Sequence, residues 1–491
     1  MKRLTTVFIG IVLASFSYSQ NETDALRYSY LNYNGTARFA GLGGAMGALG
    51  ADMSAVTLNP AGMGRYSRSD FSFTGDVTFA RNSALYNTTA SDASKGNFNI
   101  SNLGIVFVKP IDFEKPTMWR YFQFGVTSSR TNDFHGRTSI NGNHDNSWLL
   151  SSSNYLNSNG ISLEETSDFY EYKAWQTYLL DYDTLSQQFA PWYDTNNANI
   201  DQSKTIITRG AQYQTDITFS GNYDGKLLVG GSFGFPRIRY SSTSTYKEVF
   251  NNPDSILDTE SFTMDEELRT EGSGFNMKLG VIYLPVKFVR LGLALHTPTW
   301  YSMNDQYSTT FASDFIDDEY NRRESSPQGS FDYRLKTPGR VLASAAFLYK
   351  KRGFISFEYE FVDYGNARFN RAFNGNGDVT FKDVNDLNGD IYQGASIYKA
   401  GAEFRVTNHW TIRGGYTFYE SPFKKDVTLT DGSRTNVSGG MGYRNQNFSL
   451  DFTYLQSRIK TDNYLYDPAY VNAAQVTQKI NNFMVTAGFR F

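Results

Sequence analysis

Eight charged residues stand out because each lies in a segment whose alternate residues are apolar. Carboxylates and cations spaced in this way can form ion pairs that brace a protein wall, or a polar track that guides the charged head group of a ligand. The sequence alone leaves both interpretations open. The residues are Lys278, Arg290, Glu358, Glu360, Lys399, Glu403, Arg405 and Arg413.

Residues suited to catalysis or metal binding are few. The chain contains no cysteine, which excludes disulfides, thiolate metal sites and cysteine nucleophiles. Neither G-x-S-x-G nor H-E-x-x-H occurs. A hydrolase that uses His409 would need a serine and an orienting group beside it, and the neighbouring Trp410 favours an interfacial aromatic belt instead. We expect no catalytic residue, no metal and no cofactor, and predict that the chain is not an enzyme.

The elements that would position these charges are strands, because apolar and polar residues alternate along most of the chain. The final segment, 482–491, places three phenylalanines, a valine and an alanine on one face. Fourteen such segments can be placed, an even number, as single-chain bacterial barrels require. They are 69–81, 98–109, 119–130, 210–223, 225–248, 259–284, 287–311, 329–350, 353–369, 392–406, 409–423, 434–445, 447–460 and 476–491.

Two unlike faces on so many strands predict an all-β fold, a transmembrane antiparallel β-barrel of fourteen strands over residues 69–491. The apolar face must contact lipid, because a charge there costs about 2–4 kcal/mol at mid-bilayer. The eight charged side chains are therefore predicted to line the lumen. An array of soluble β-sandwiches is the alternative.

The links between the predicted strands alternate in length. From the fourth strand onward every other link is a tight turn, such as Tyr223–Gly225 or Asn445–Gln446, and the others are long and polar. This asymmetry is typical of outer-membrane barrels, and the parity places the tight turns in the periplasm. The longest link, 131–208, is predicted to form a partly helical extracellular cap.

Within this cap, residues 163–193 are predicted to form one or two helices. Four large side chains then fall on one helical face: Trp175, Leu179, Tyr182 and Leu185. This face is either a groove for an apolar ligand or a packing surface on the barrel rim.

The first residues predict export. Lys2 and Arg3 precede an apolar run, which Ser17-Tyr18-Ser19 follows, and this layout predicts a signal peptide over 1–19. An uncleaved anchor is the alternative. The formal net charge is −3 and no basic stripe occurs, so we expect no nucleic acid partner.

Residues 20–68 do not fit a plain barrel. Glycines at 41, 43, 44, 47 and 50 miss the G-x-G-x-x-G pattern, because Met46 stands where the third glycine belongs. Small residues allow close backbone packing, and Asn59-Pro60 favours a turn. The segment is predicted to be a compact plug, or hatch, inside the barrel. A disordered periplasmic tail is the alternative.

The hatch segment resembles that of a known family, the FadL/TodX outer-membrane transporters of hydrophobic compounds. The resemblance rests on residues 37–45, Ala51-Asp52 and Asn59-Pro60-Ala61-Gly62, with weaker likeness at 335–340 and 410–423. It implies a fourteen-stranded barrel in the bacterial cell outer membrane, an N-terminal hatch, and passive uptake, with lateral exit beside a kinked third strand. The hatch or gating residues that it indicates are Arg38, Gly43, Gly44, Asp52, Asn59, Pro60, Ala61 and Gly62.

Two functional hypotheses follow. In the first, the barrel passively transports hydrophobic or amphipathic small molecules, such as long-chain fatty acids, and its partners are the outer-membrane lipid bilayer and that ligand. In the second, it is a non-transporting partner in protein secretion or assembly. In both cases we expect a monomer.

Overall fold

The computed structural model of the chain describes residues 22–32, 34–111, 118–195, 198–252, 258–372, 380–425 and 427–491. The predicted signal peptide lies outside these residues. Among the described helices, none is both long and apolar enough to cross a bilayer.

One antiparallel sheet of nineteen strands dominates the described chain, and a separate two-stranded hairpin, β5–β6, lies outside it. The strands are β1 Asp70–Tyr86, β2 Thr89–Pro110, β3 Trp119–Asp133, β4 Gly136–His144, β5 Leu180–Asp183, β6 Gln188–Pro191, β7 Ile200–Tyr223, β8 Leu227–Phe250, β9 Thr259–Val286, β10 Val289–His296, β11 Thr299–Phe315, β12 Arg322–Ser325, β13 Gly329–Thr337, β14 Arg340–Tyr349, β15 Gly353–Asp363, β16 Arg368–Arg371, β17 Gly394–Arg405, β18 Trp410–Tyr419, β19 Arg434–Arg444, β20 Phe448–Asn463 and β21 Ala474–Arg490.

The sheet closes into a barrel because β1 pairs with β21 along almost its whole length, from Asp70↔Arg490 to Leu85↔Gln475. Several wall strands are interrupted: β3 continues as β4, β10 as β11, β15 as β16, and β12, β13 and β14 form one path. Counted through these breaks the barrel has fourteen strands, which confirms the predicted fold.

Two of the breaks fall at Pro298 and Pro338, within segments that the sequence predicted to be continuous strands, 287–311 and 329–350. Proline cannot donate to a ladder, so a wall strand must bend or end there. The two breaks lie side by side, because His296 pairs with Arg340 below them and Thr299 with Thr337 above.

The predicted facing of the strands is confirmed. On β9 the apolar Leu279 is 63% exposed on the outer surface, whereas its neighbour Lys278 is 4% exposed inside. The same alternation holds on β10 and β18, where Leu293 and Ile412 face outward. An outward apolar surface and an inward charged one are what a membrane barrel needs.

The hatch lies inside the barrel and consists of short helices. They are α1 Glu22–Ser29, α2 Ala37–Gly41, α3 Met53–Leu58 and a 3-10 helix over Pro60–Arg65. Each of the last three begins where a polar side chain caps it, namely Thr36, Asp52 and Asn59. A compact plug is therefore present where the sequence predicted one.

The cap loop, residues 145–199, is shorter than the predicted 131–208, because β4 and β7 continue the wall and pair from Gly136↔Thr208 to His144↔Ile200. It contains α4 Trp148–Asn159 and α5 Glu171–Gln176, followed by the β5–β6 hairpin. A further helix, α6 Lys382–Ile391, lies between β16 and β17.

The prediction of helix through residue 193 is wrong, because the chain turns into the hairpin after α5. Tyr178, just after α5, has a positive φ angle of 58°, which no helix can continue, and Gln187 in the hairpin turn has one of 57°. In the hairpin turn, Asp183 accepts hydrogen bonds from the Leu185 N–H and the Ser186 hydroxyl.

Candidate functional site

Ion pairs connect the hatch to the lumen wall. Arg38 of α2 donates from Nε and Nη2 to the two carboxylate oxygens of Glu403, at 3.0 and 3.3 Å. Arg413 on the adjacent strand lies 3.5 Å from the same carboxylate and donates to Asp451 at 2.7 Å. A two-pronged guanidinium–carboxylate pair fixes both distance and orientation, so α2 is held against β17.

A second buried cluster lies on β14, β15 and β17. Lys399 Nζ donates to Glu358 at 2.8 Å and to Glu360 at 2.9 Å, and Arg340 also pairs with Glu360. The remaining oxygen of Glu358 accepts from the Gly47 N–H of the hatch at 2.8 Å. All four side chains are buried.

The other predicted lumen charges divide into three cases. Lys278 pairs with Asp216 at 3.0 Å, and Arg290 donates to the Leu49 carbonyl of the hatch at 2.9 Å. Arg405 is exposed at the barrel end that carries the tight turns, which we call the short-turn mouth. The wall charges are thus mostly paired with each other or with the hatch, and this favours the bracing interpretation over a free polar track.

Uncharged wall side chains also bind the hatch backbone. Hydroxyls of Thr417, Ser356 and Thr453 donate to the Gly43, Ala45 and Ala37 carbonyls at 2.6, 2.6 and 2.5 Å. A ring nitrogen of His296 lies 2.7 Å from the Leu58 carbonyl. Sequence reasoning missed these residues, although their inward positions on alternating strands were a usable signal.

Within the hatch, Asp52 connects two segments. Its carboxylate accepts from the Thr36 hydroxyl and from the Ser54 and Ala55 N–H groups. Burial raises the pKa of Asp52, whereas nearby Arg38 and these hydrogen bonds oppose the rise. The carboxylate therefore crosslinks the hatch at an electrostatic cost.

The Asn59–Gly62 turn is pressed against the wall. Asn59 donates to the Gly47 carbonyl at 2.8 Å and to Val281 of the wall at 3.3 Å. Pro60 occupies the first turn of the 3-10 helix, and Ala61 is fully buried against β8 and β9. The Gly62 carbonyl accepts from the Ala51 N–H at 3.0 Å, which closes the hatch on itself.

Gly43 and Gly44 allow the hatch backbone to touch the wall. Both have positive φ angles, 60° and 75°. Across the contact, a Cβ added to Gly415 of β18 would lie 2.1 Å from the Gly43 nitrogen. The contact therefore requires glycine on the wall.

The barrel wall has a seam beside β2. The β2–β3 ladder runs only from Asn102↔Ser129 to Pro110↔Tyr121, whereas residues 89–100 of β2 pair with β1 alone and Ser101 is skipped by the ladder. On the far side, β4 pairs with β7. We call the boundary between residues 89–101 of β2, on one side, and β4 with the adjoining part of β7, on the other, the seam.

The seam begins at a kink in the third wall strand. The β3–β7 register shifts between Arg130 and Asn132, and the carbonyl of the extra residue, Thr131, accepts from the Asn32 N–H of the hatch at 2.7 Å. Opposite the kink, Gly210 has φ 112°, and a Cβ there would lie 2.1 Å from the Arg239 carbonyl oxygen. The hatch is therefore hydrogen-bonded to the kink.

Side chains cross the seam in place of a ladder. Lys95 donates to the Thr208 carbonyl at 3.0 Å, and the Tyr213 hydroxyl to the Ile100 carbonyl at 3.2 Å. Nearer the cap, Asn141 donates to the Ser91 hydroxyl at 3.0 Å. Such isolated bonds are fewer than a ladder would supply, so continuous backbone pairing does not hold this boundary closed.

The predicted cap groove does not form from its four residues. Trp175 stacks on Tyr172 with ring centroids 5.5 Å apart, and Leu179 is fully buried. Tyr182 lies on β5, whereas Leu185 is 95% exposed in the hairpin turn. Because only Trp175 of the four lies on a helix, they share no helical face. In the described part of the chain no three potential metal ligands gather.

The fold resembles those of two solved proteins. A Pseudomonas aeruginosa FadL homologue is 16% identical with a TM-score of 0.55, over 94% of this chain and 100% of that one. The Pseudomonas putida toluene transporter TodX is 12% identical with a TM-score of 0.53, over 94% and 99%. No curated protein matches the sequence.

A sequence profile for one family covers well over half of the chain. It is described as outer membrane protein transport protein (OMPP1/FadL/TodX) and matches residues 200–491. The match spans most of the wall that holds the hatch, and the whole-chain fold agrees with it. The chain therefore belongs to the OMPP1/FadL/TodX family of outer-membrane transport proteins.

Proposed function

We propose that this barrel passively transports hydrophobic or amphipathic small molecules, such as long-chain fatty acids, across the outer membrane. The observation that carries the proposal is the seam, which lies beside a lumen filled by the hatch. The toluene carried by the relative TodX is an apolar compound, which supports a ligand of this class.

The seam offers a route into lipid. Phe98 and Ile100 of β2 are 68% and 46% exposed on the outer surface at the height of the seam, which places apolar side chains beside it. Each buried CH₂ group stabilises a solute in an apolar environment by about 0.8 kcal/mol, so a fatty acid gains by leaving the lumen sideways. No energy input is required for this step.

The hatch residues Arg38, Asp52 and Asn59 have a gating role in this proposal. They hold the plug closed, and Asn32 connects the plug to the kink. A ligand that displaces the hatch at the kink would also loosen the seam, because the hatch is hydrogen-bonded to the Thr131 carbonyl at the kink where the seam begins. The cap loop would then receive the ligand from outside.

The test is a reversible disulfide crosslink across the seam. The chain has no cysteine, so Ser91→Cys with Asn141→Cys introduces one addressable pair where the two side chains are already in contact. The control pair, Thr310→Cys with Ser325→Cys, joins β11 and β12, where the hydroxyls lie 2.8 Å apart within a regular ladder.

In proteoliposomes, we expect oxidation of the seam pair to reduce uptake of labelled fatty acid about tenfold or more, and reductant to restore it. The control pair should change uptake less than twofold in either state. Equal uptake by the oxidised and the reduced form of the seam variant would contradict lateral exit. No uptake by the wild-type chain would favour the secretion or assembly alternative.

A further inference from the structure

The short-turn mouth contains a basic pocket beside the hatch. Its volume is about 300 Å³, and it is lined by ends of β17, β18, β19 and β20 together with Arg38 of α2. Four guanidinium groups line it, those of Arg38, Arg405, Arg413 and Arg444, against two carboxylates, Glu403 and Asp451. The pocket therefore carries an excess of two positive charges.

Both carboxylates are already engaged. Glu403 accepts the two hydrogen bonds from Arg38, and Asp451 accepts from Arg413 at 2.7 Å. Among the described residues, neither Arg405 nor Arg444 makes an ion pair or a side-chain hydrogen bond. The excess charge is therefore on these two guanidinium groups.

Arg413 adds an unused donor to the same pocket. The residue is only 7% exposed, and its Nη1 group donates no hydrogen bond within the described chain. A buried donor without a partner is destabilising unless a ligand or water satisfies it. The pocket thus combines unpaired charge with an unpaired donor.

The pocket is rigidly built. The Arg444 N–H donates to the His409 carbonyl at 2.9 Å, and a His409 ring nitrogen lies 3.1 Å from the Arg444 carbonyl. These bonds join the turn before β18 to the end of β19. Arg405 begins the same turn, because the β17–β18 ladder ends at Arg405↔Thr411.

We propose that this pocket binds an oxyanion, the carboxylate or phosphate group of a small molecule. Guanidinium groups match such groups with paired N–H donors, and a partly enclosed site strengthens the attraction. The volume accommodates the charged group and a few attached carbons. The occupant would contact Arg38 and so add a bridge between the hatch and the turns. The proposal does not depend on which compounds cross the barrel.

The test uses the full chain in detergent micelles, with ¹⁵N-labelled arginine and inorganic phosphate or hexanoate as separate probes. We expect saturable shifts of the Arg444 Nε–H signal, assigned with Arg444→Gln. The double variant Arg405→Gln with Arg444→Gln should weaken binding, followed by calorimetry, at least about tenfold. A tighter response to phosphate or to hexanoate identifies the source of the oxyanion.

The matched control is Lys351→Gln with Arg352→Gln, which removes two exposed charges from a neighbouring turn outside the pocket. It should change the affinity less than twofold. Increased amide protection of residues 37–41 on adding the probe would further support the bridge to the hatch. Shifts that do not saturate, or an equal loss of affinity in the control, would overturn the proposal.

Discussion

Lys399 lies between the carboxylates of Glu358 and Glu360, two buried neighbours on the same face of β15. Removing it as Lys399→Met leaves Glu358 without a cation and Glu360 with Arg340 alone. Leaving a charge unpaired in such a place costs about 3–5 kcal/mol. We expect this loss in the free energy of unfolding, measured by urea titration in lipid vesicles.

The control for Lys399→Met is Lys351→Met on an exposed turn, which should change the unfolding free energy by less than about 0.5 kcal/mol. A loss below about 1 kcal/mol for Lys399→Met would show that water reaches the cluster and that it does not brace the wall.

The raised pKa of Asp52 predicts that the stability of the folded chain depends on pH. Because its pKa is raised on folding, from an ordinary value of 3.8, protonation stabilises the folded hatch. That contribution is complete below pH 3.8 and is lost as the pH rises through the raised pKa. Relative to Asp52→Asn, which does not titrate, the wild-type chain should lose stability from pH 4 upward, by at most about 1.4 kcal/mol per pH unit. Parallel unfolding measurements from pH 4 to 7 check this, and a wild-type stability that stays constant or rises with pH relative to Asp52→Asn would refute it.

At this scale the sequence predicted which residues are charged and inward, but not their partners. Glu358 and Glu360 are two residues apart and share a face, which is readable. That Lys399 stands between them depends on the β15–β17 register, in which Glu358 is opposite Lys399. Register across a long loop cannot be read from a single strand.

At the scale of elements, local pattern predicted the strands and failed in the cap. Residues 163–193 contain helix formers at helical spacing, yet β5 and β6 form there. The hairpin packs Leu180 and Phe189 against the buried cluster that includes Tyr246 and Phe262 of the wall. Burial of these side chains in the tertiary structure outweighed an intrinsic helix propensity of a few tenths of a kcal/mol per residue.

The contact between α2 and β18 yields a prediction of its own. Gly415→Ala places a methyl group 2.1 Å from the Gly43 nitrogen, so the hatch must shift away from the wall. We expect a higher ion conductance in planar bilayers and faster proteolysis of residues 37–58, while the barrel stays folded because the clash lies only at the hatch.

Gly414→Ala is the matched control, because the nearest atom to its added Cβ lies at 3.8 Å. Its conductance should equal that of the wild-type barrel. Equal conductance for Gly415→Ala would mean that the hatch can retreat without opening a path.

At the scale of the whole molecule, exposed apolar side chains face lipid on the barrel wall and water in the cap. Leu279 on β9 and Leu185 in the cap hairpin are both highly exposed. A lysine at position 279 should destabilise the barrel by about 2–4 kcal/mol in vesicles, because it would face hydrocarbon. Leu185→Lys should have an effect below about 0.5 kcal/mol, because this side chain already faces water. Similar effects of the two substitutions on urea unfolding would contradict the assigned membrane belt.

The closed cylinder was predictable as a whole, because the alternation, the even strand count and the turn asymmetry all agree. The seam was not predictable from residues alone, since the predicted strands 69–81 and 98–109 left residues 82–97 outside the wall, whereas residues 89–101 belong to β2 in the structure. What distinguishes them is the absence of a ladder partner beyond Ser129, and this is set by the Thr131 kink and Gly210.

The position of the hatch constrains the order of assembly. Thr486 on β21, the strand that completes the cylinder against β1, lies 2.7 Å from the Ala37 nitrogen, which donates to its hydroxyl. The N-terminal segment is synthesised first, whereas its docking surface is completed last. The hatch segment must therefore stay inside the partly formed barrel until β21 pairs with β1. Docking of the hatch and closure of the barrel thus form a single step of assembly.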